Sequence, residues 1–153
     1  MNSDIVRLDG GISTDDRGCV RFVNDFDFKG VKRFYQVENH QSGFIRAWHG
    51  HMYESKYVYV VKGSAMIGVV EMPPTQNGEE IKSSAPRSTA KKFILSANKP
   101  QILYIPKGFA NGAMTLEENT IIQYFSTSSL EESIGDDIRF AHNKWDIWKS
   151  EYR

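Results

Sequence analysis

The chain has 153 residues, 19 basic against 19 acidic, with 40% hydrophobic and 25% charged residues. That length suits one domain over residues 1–153 with a core large enough to need no disulfide or metal staple. The cancelled charge leaves no broad field to gather nucleic acid or an anionic membrane, and no stretch approaches the roughly 20 apolar residues of a bilayer-crossing helix.

The first residues, Met1 to Ile5, lack the basic start and apolar run of a secretory signal, so a cytoplasmic setting is expected. Ile5 to Ile12 reads as an edge strand, and Asp15-Asp16-Arg17-Gly18 as a turn. Cys19 to Asn24 is a second strand. The single cysteine within it, Cys19, has no partner for an internal disulfide and reads as a small apolar filler in a reducing compartment. Arg33 to Val37 is a further strand, followed by a polar turn through Asn39 to Gly43. Phe44 to His51 then mixes apolar, charged and imidazole groups in a way a plain core strand does not.

Tyr57-Val58-Tyr59-Val60-Val61 is β-branched and aromatic, and Lys62-Gly63-Ser64 turns it into Ala65 to Glu71, a hairpin by composition. Met72 to Ala90, with Pro73, Pro74 and Pro86 among polar residues, reads as a long loop or exposed hairpin. Strands follow at Lys92 to Leu95, Gln101 to Ile105 and Thr120 to Phe125. Beyond Ser128, Leu130, Ile134, Ile138, Trp145 and Trp148 are spaced as short helical or irregular segments packed on a sheet. Many short strands at roughly 8–12-residue spacing predict an all-β sandwich or barrel.

His49 and His51 stand two apart, so a strand presents both imidazoles to one side. With Gly43 six residues before His49 and Gly63 twelve after His51, and with the Pro106-Lys107-Gly108 turn downstream, the spacing resembles the two signatures of the cupins. Those are double-sheet jelly rolls, the double-stranded β-helix. Metal-binding cupins carry a glutamate where this chain has Lys56 and a histidine where it has Asn111. An ammonium repels a divalent ion, so no metal or other cofactor is expected; Glu54, two residues away, is the alternative ligand.

The metal-free layout resembles the dTDP-4-dehydrorhamnose 3,5-epimerase family over most of the chain. The resemblance runs through Asp16-Arg17-Gly18, Phe34-Tyr35-Gln36 with Asn39, Arg46-Ala47-Trp48-His49, Lys56 to Gly63, Ile105 to Ala110, Tyr124, and Ile138 to Trp148. It is also similar to the dTDP-sugar 3,4-ketoisomerases, which carry Arg-x-x-His-x-His, here Arg46, His49 and His51, with a tyrosine at Tyr35. The resemblance implies a homodimeric isomerase of a nucleotide-linked 4-keto-6-deoxy-hexose, in deoxysugar biosynthesis of the kind that feeds cell-surface polysaccharide.

In that chemistry His49 removes a proton beside the ketone, Lys56 steadies the enolate, and Tyr124 returns a proton to the opposite face. Arg46, His51, Tyr35, Gln36, Asn39 and Asn111 are implied to bind the substrate. The aspartate that partners the histidine in the family falls at His142, at Asp146 or at neither. Arg17, Arg21, Lys32 and Arg33 are cations available to a diphosphate or to solvent. From a different class, the same pattern fits a non-catalytic or metal-holding cupin that binds a sugar or small anion.

Overall fold

The computed structural model describes residues 4–77, 79–81 and 89–150. Its strands in chain order are β1 (Val6–Asp9), β2 (Gly11–Asp15), β3 (Gly18–Phe22), β4 (Arg33–Glu38), β5 (Ile45–Gly50), β6 (Lys56–Lys62) and β7 (Ser64–Glu71). Then come β8 (Thr75–Gln76), β9 (Glu79–Glu80), β10 (Lys91–Ser96), β11 (Gln101–Ile105), β12 (Phe109–Thr115), β13 (Ile121–Ser126), helix α1 (Leu130–Ile134) and β14 (Ile138–Arg139). Two five-stranded antiparallel sheets face each other, ordered β1-β11-β6-β13-β4 and β10-β7-β12-β5-β14. This is the jelly roll expected of a cupin.

The burial of each strand follows its side-chain alternation. In β6, Lys56, Val58 and Val60 are buried while Tyr57 and Tyr59 are half-exposed; in β13 the inward row is Ile122, Tyr124 and Ser126. Val58, Val60, Ile67, Val69, Leu95, Leu103 and Ile122 from these facing rows form the inner core. β7 is apolar without alternation, Ala65 to Val70, because both of its faces are covered. Gly63 takes a positive φ of 79° between β6 and β7, where a Cβ would lie 2.2 Å from Thr120 Oγ1, so the turn requires glycine.

The C-terminal tail covers the outer face of the second sheet, where Trp48, Met66, Val70, Met114, Trp145 and Trp148 make a second core. Gly68 and Gly112 stand opposite each other in β7 and β12. A Cβ on Gly68 would lie 2.6 Å from the Trp48 ring, and one on Gly112 3.0 Å from Trp148, so paired glycines make the hollow that the indoles fill. Both indole N–H groups donate to the His142 carbonyl at 3.2 Å. Trp148→Ala is expected to lower stability by about 3–5 kcal/mol, read as a fall in the urea midpoint with an unchanged slope. A loss under about 1 kcal/mol would mean that the tail does not seal this face.

Several expectations are corrected. The strand predicted over Ile5 to Ile12 is broken at Gly10, where the backbone N–H bonds to the Pro100 carbonyl; β1 pairs with β11 and β2 with β3. Cys19 is not filler but exposed, because the β2–β3 hairpin projects from the sheets. Leu130 and Ile134 do not pack on a sheet: one short helix leaves them 63% and 71% exposed, while Ile138, Trp145 and Trp148 are buried. Within Met72 to Ala90 the short β8–β9 hairpin forms, and residues 78 and 82–88 lie outside the described ones.

Candidate active site

A cavity of about 330 Å³ opens between the sheets and is lined by Tyr35, Arg46, His49, His51, Lys56, Asn111 and Tyr124, with Arg33, Asp137 and Arg139 among the other walls. Strand register assembles it. On the first sheet, Lys56 and Arg33 flank Ser126, and Tyr35 stands directly opposite Tyr124, stacked with ring centroids 5.0 Å apart. On the second, His49 pairs with Asn111 on one side and with Arg139 on the other.

Strict alternation would set Arg46 and His49 on opposite faces of β5. A β-bulge prevents this: the register against β12 slips between Asn111 and Ala113, adding one residue on β5. Ala47 and Trp48 therefore both join the outer core, and Arg46 and His49 both reach the cavity. Gly50 then restores the alternation, so His51 follows His49 inward.

Lys56 ends the inward row of β6 and is 7% exposed. Its Nζ lies 5.6 Å from the Tyr35 ring centroid and 5.8 Å from that of Tyr124. Burial pushes its pKa down, the Glu54 carboxylate at 3.7 Å pulls it up, and Arg33 pushes it down again; the net direction is down. Burial likewise drives the Tyr35 and Tyr124 hydroxyls well above the usual phenol range, so both stay protonated at neutral pH. The His49 imidazole is pushed down to about 4, first by burial and then by Arg139 and Lys56, with Asp137 pulling the other way.

His51 is fixed differently. Its Nδ1 lies 2.6 Å from the Asp136 carbonyl, which only accepts, so Nδ1 carries the proton. Nε2 lies 3.3 Å from Glu54 Oε2, yet it is the buried side-chain nitrogen left without a hydrogen-bond partner among the described residues. The Asp136 carboxylate accepts the backbone N–H groups of Met52, Tyr53 and Glu54 at 2.8, 2.9 and 3.0 Å, and so pins the whole loop between β5 and β6.

Two residues expected at the substrate lie outside the cavity. Gln36 alternates onto the outer face of β4 and donates to Gln123 Oε1 at 2.8 Å. Asn39 stands behind Arg46, accepting from its Nε at 2.7 Å, and therefore orients the guanidinium. Asn111 does line the cavity, and its amide donates to the His49 carbonyl at 3.3 Å. Glu54, weighed as a metal ligand, instead serves as the counter-ion of Arg33 and Lys56.

Of the four cations weighed for a diphosphate, Arg33 reaches the cavity. Arg17 pairs with Asp15 and Lys32 with Glu132 on the surface, and Arg21 donates to the Ala97 carbonyl. The carboxylate beside His49 is Asp137, neither His142 nor Asp146; it accepts from Arg139 Nε at 3.0 Å. Reading from the sequence missed Asp137 and Arg139 as site residues. For Arg33 a signal existed, since it stands two residues before Tyr35 on the same face of β4.

Comparison with known proteins gives one family match: the family described as dTDP-4-dehydrorhamnose 3,5-epimerase matches residues 3–151. No curated protein matches the chain. Among solved structures, the dTDP-4-dehydrorhamnose 3,5-epimerase of Sulfolobus tokodaii is 23% identical over 94% of this chain and 81% of its own, with a TM-score of 0.71. The Bacillus anthracis enzyme of the same name, solved with TDP and PPi bound, is 22% identical over 94% and 83%, also at 0.71. A 3,4-ketoisomerase from Helicobacter canadensis is 18% identical over 91% and 92%, at 0.64. At these identities the structural likeness speaks for the fold.

Proposed function

The chain belongs to the dTDP-4-dehydrorhamnose 3,5-epimerase family, and from that premise we propose that it epimerises a dTDP-linked 4-keto-6-deoxy-hexose through an enolate, using its own side chains and no metal. It is an isomerase-class enzyme; the substrate and the enolate are the proposal. One observation carries it: His49 stands on one sheet, and Lys56 and Tyr124 stand on the other, around one cavity.

A hydrogen on carbon beside a ketone leaves as a proton only if the negative charge arriving on the ketone oxygen is met. His49 takes that proton, and the C–H electron pair moves into the enolate. Lys56 faces the oxygen where charge develops, in a site where solvent screens little. Tyr124, kept protonated by burial, gives its proton to the same carbon from the other side, inverting it. Solvent then reprotonates the phenolate and takes the proton from His49. Arg46, Arg33 and Arg139, at the walls, suit the ketone or the diphosphate, which guanidinium groups bind bidentately.

The test is incubation with a dTDP-4-keto-6-deoxy-glucose in deuterium oxide. Deuterium appearing at C3 or C5 is the expected result, and a substrate recovered without deuterium and without rearrangement sinks the reading. A second reading, 3,4-ketoisomerisation, is favoured by the His51 ring lining the same cavity as His49, because moving the ketone needs a second group to shuttle protons between neighbouring oxygens. Product with its ketone at C3 decides for it. A homodimer fits either reading, since Phe28 and Phe34 are 62% and 65% exposed. A nucleotide-linked substrate and a single cysteine are in keeping with the cytoplasm.

A further inference from the structure

Glu54 is 2% exposed and does not line the cavity, yet four elements converge on its carboxylate. Oε1 accepts from Arg33 Nη2 at 3.0 Å and from Ser126 Oγ at 2.5 Å. Oε2 accepts from Ser133 Oγ at 3.4 Å and faces Lys56 Nζ at 3.7 Å and His51 Nε2 at 3.3 Å. A desolvated carboxylate persists only when paired and hydrogen-bonded, and here its two cationic partners, Arg33 and Lys56, themselves line the cavity in front of it.

We infer that Glu54 is a positioning residue that acts through Lys56: from behind the wall its carboxylate keeps the ammonium charged and aimed into the cavity. What Lys56 then does to a substrate rests on the proposed function; the coupling between the two side chains does not. The charged and titratable groups facing Lys56 are Glu54 and His51 from the loop before it, Arg33 and Tyr35 from β4, His49 from β5, Tyr124 from β13 and Asp137 beside β14. Two of these are carboxylates, and Asp137 is already shared with Arg139. Without Glu54, a buried ammonium faces the Arg33 guanidinium with only the shared Asp137 as an anion, and burial favours the neutral amine.

The experiment follows Lys56 itself, by NMR titration of protein labelled with 13C at lysine Cε, its resonance identified by its loss in Lys56→Met. Glu54→Gln keeps the side-chain volume and an oxygen for Arg33 and Ser126. Its Lys56 midpoint is expected about 1–3 pH units below that of the unsubstituted protein, with Glu54→Asp in between. An unmoved midpoint in Glu54→Gln overturns the inference; should that variant not fold, an unmoved midpoint in Glu54→Asp does so. With turnover measured in parallel, kcat falls, KM holds, and the high-pH limb of kcat moves by the same interval. A shifted midpoint beside an unmoved rate profile upholds the coupling and strikes Lys56 from the reaction, so the two failures stay apart.

Discussion

Replacing His49 by alanine lowers deuterium incorporation into the sugar by about 10²–10⁴-fold, the contribution of a positioned general base, while the thermal midpoint stays within a few degrees. The fold survives because His49 is only half-buried and its ring faces the open cavity; the β5–β12 pairing at this point runs through backbone. The pH profile makes the same claim in a second way. Burial among the cations Arg139 and Lys56 holds the imidazole down to about 4. The base form is the unprotonated one, so it is lost only as pH falls through that value. The acid limb of kcat/KM is therefore expected near pH 4, well below the ordinary histidine value of about 6.5. A limb at the ordinary value, or residual exchange near the wild-type rate in His49→Ala, would remove the imidazole from the proton transfer.

Lys56→Met is expected to cost about 10²–10³-fold in kcat, the scale of losing one preorganised electrostatic group at a developing oxyanion. Methionine keeps most of the unbranched stem beside the Tyr35 and Tyr124 rings, so the change isolates the charge from the packing. Arginine is not a rescue. Its planar fork is bulkier and would stand beside Arg33, which already occupies Glu54 Oε1 at 3.0 Å. If Lys56→Met turns over at the wild-type rate, the enolate oxygen is held elsewhere, and the guanidinium groups at the cavity wall become its stabilisers. Substrate affinity separates the cases, since a group that acts only on the developing charge leaves KM nearly unchanged.

The residues that point into this cavity were legible to different degrees. Lys56, Val58 and Val60 share a face because a strand alternates with period two, and the β-branched run Tyr57 to Val61 announces the strand. The same rule puts His49 and His51 together. It misleads at Arg46, where the bulge sets two consecutive residues, Ala47 and Trp48, outward. At Gln36 the pattern of β4 already contradicts a substrate role, for Tyr35 and Gln36 cannot both face inward on a regular strand. Leu130 and Ile134, one helical turn apart, look like a buried stripe and are not, because a five-residue helix has no sheet beneath it here.

Local chemistry determined most of the strands, though neither the break at Gly10 nor the strand Phe109–Thr115, together with the turns at Gly63 and Gly108 and the inward or outward sense of most side chains, since each depends on neighbours a few residues away. Tertiary structure alone decided which charge meets which. Arg33 and Glu54 are 21 residues apart, and Asp136 reaches back 84 residues to the backbone of Met52. No periodicity encodes such a separation. Buried charges find their partners only after the sheets have closed, because it is the loss of water at that step that makes an unpaired ion too costly to keep.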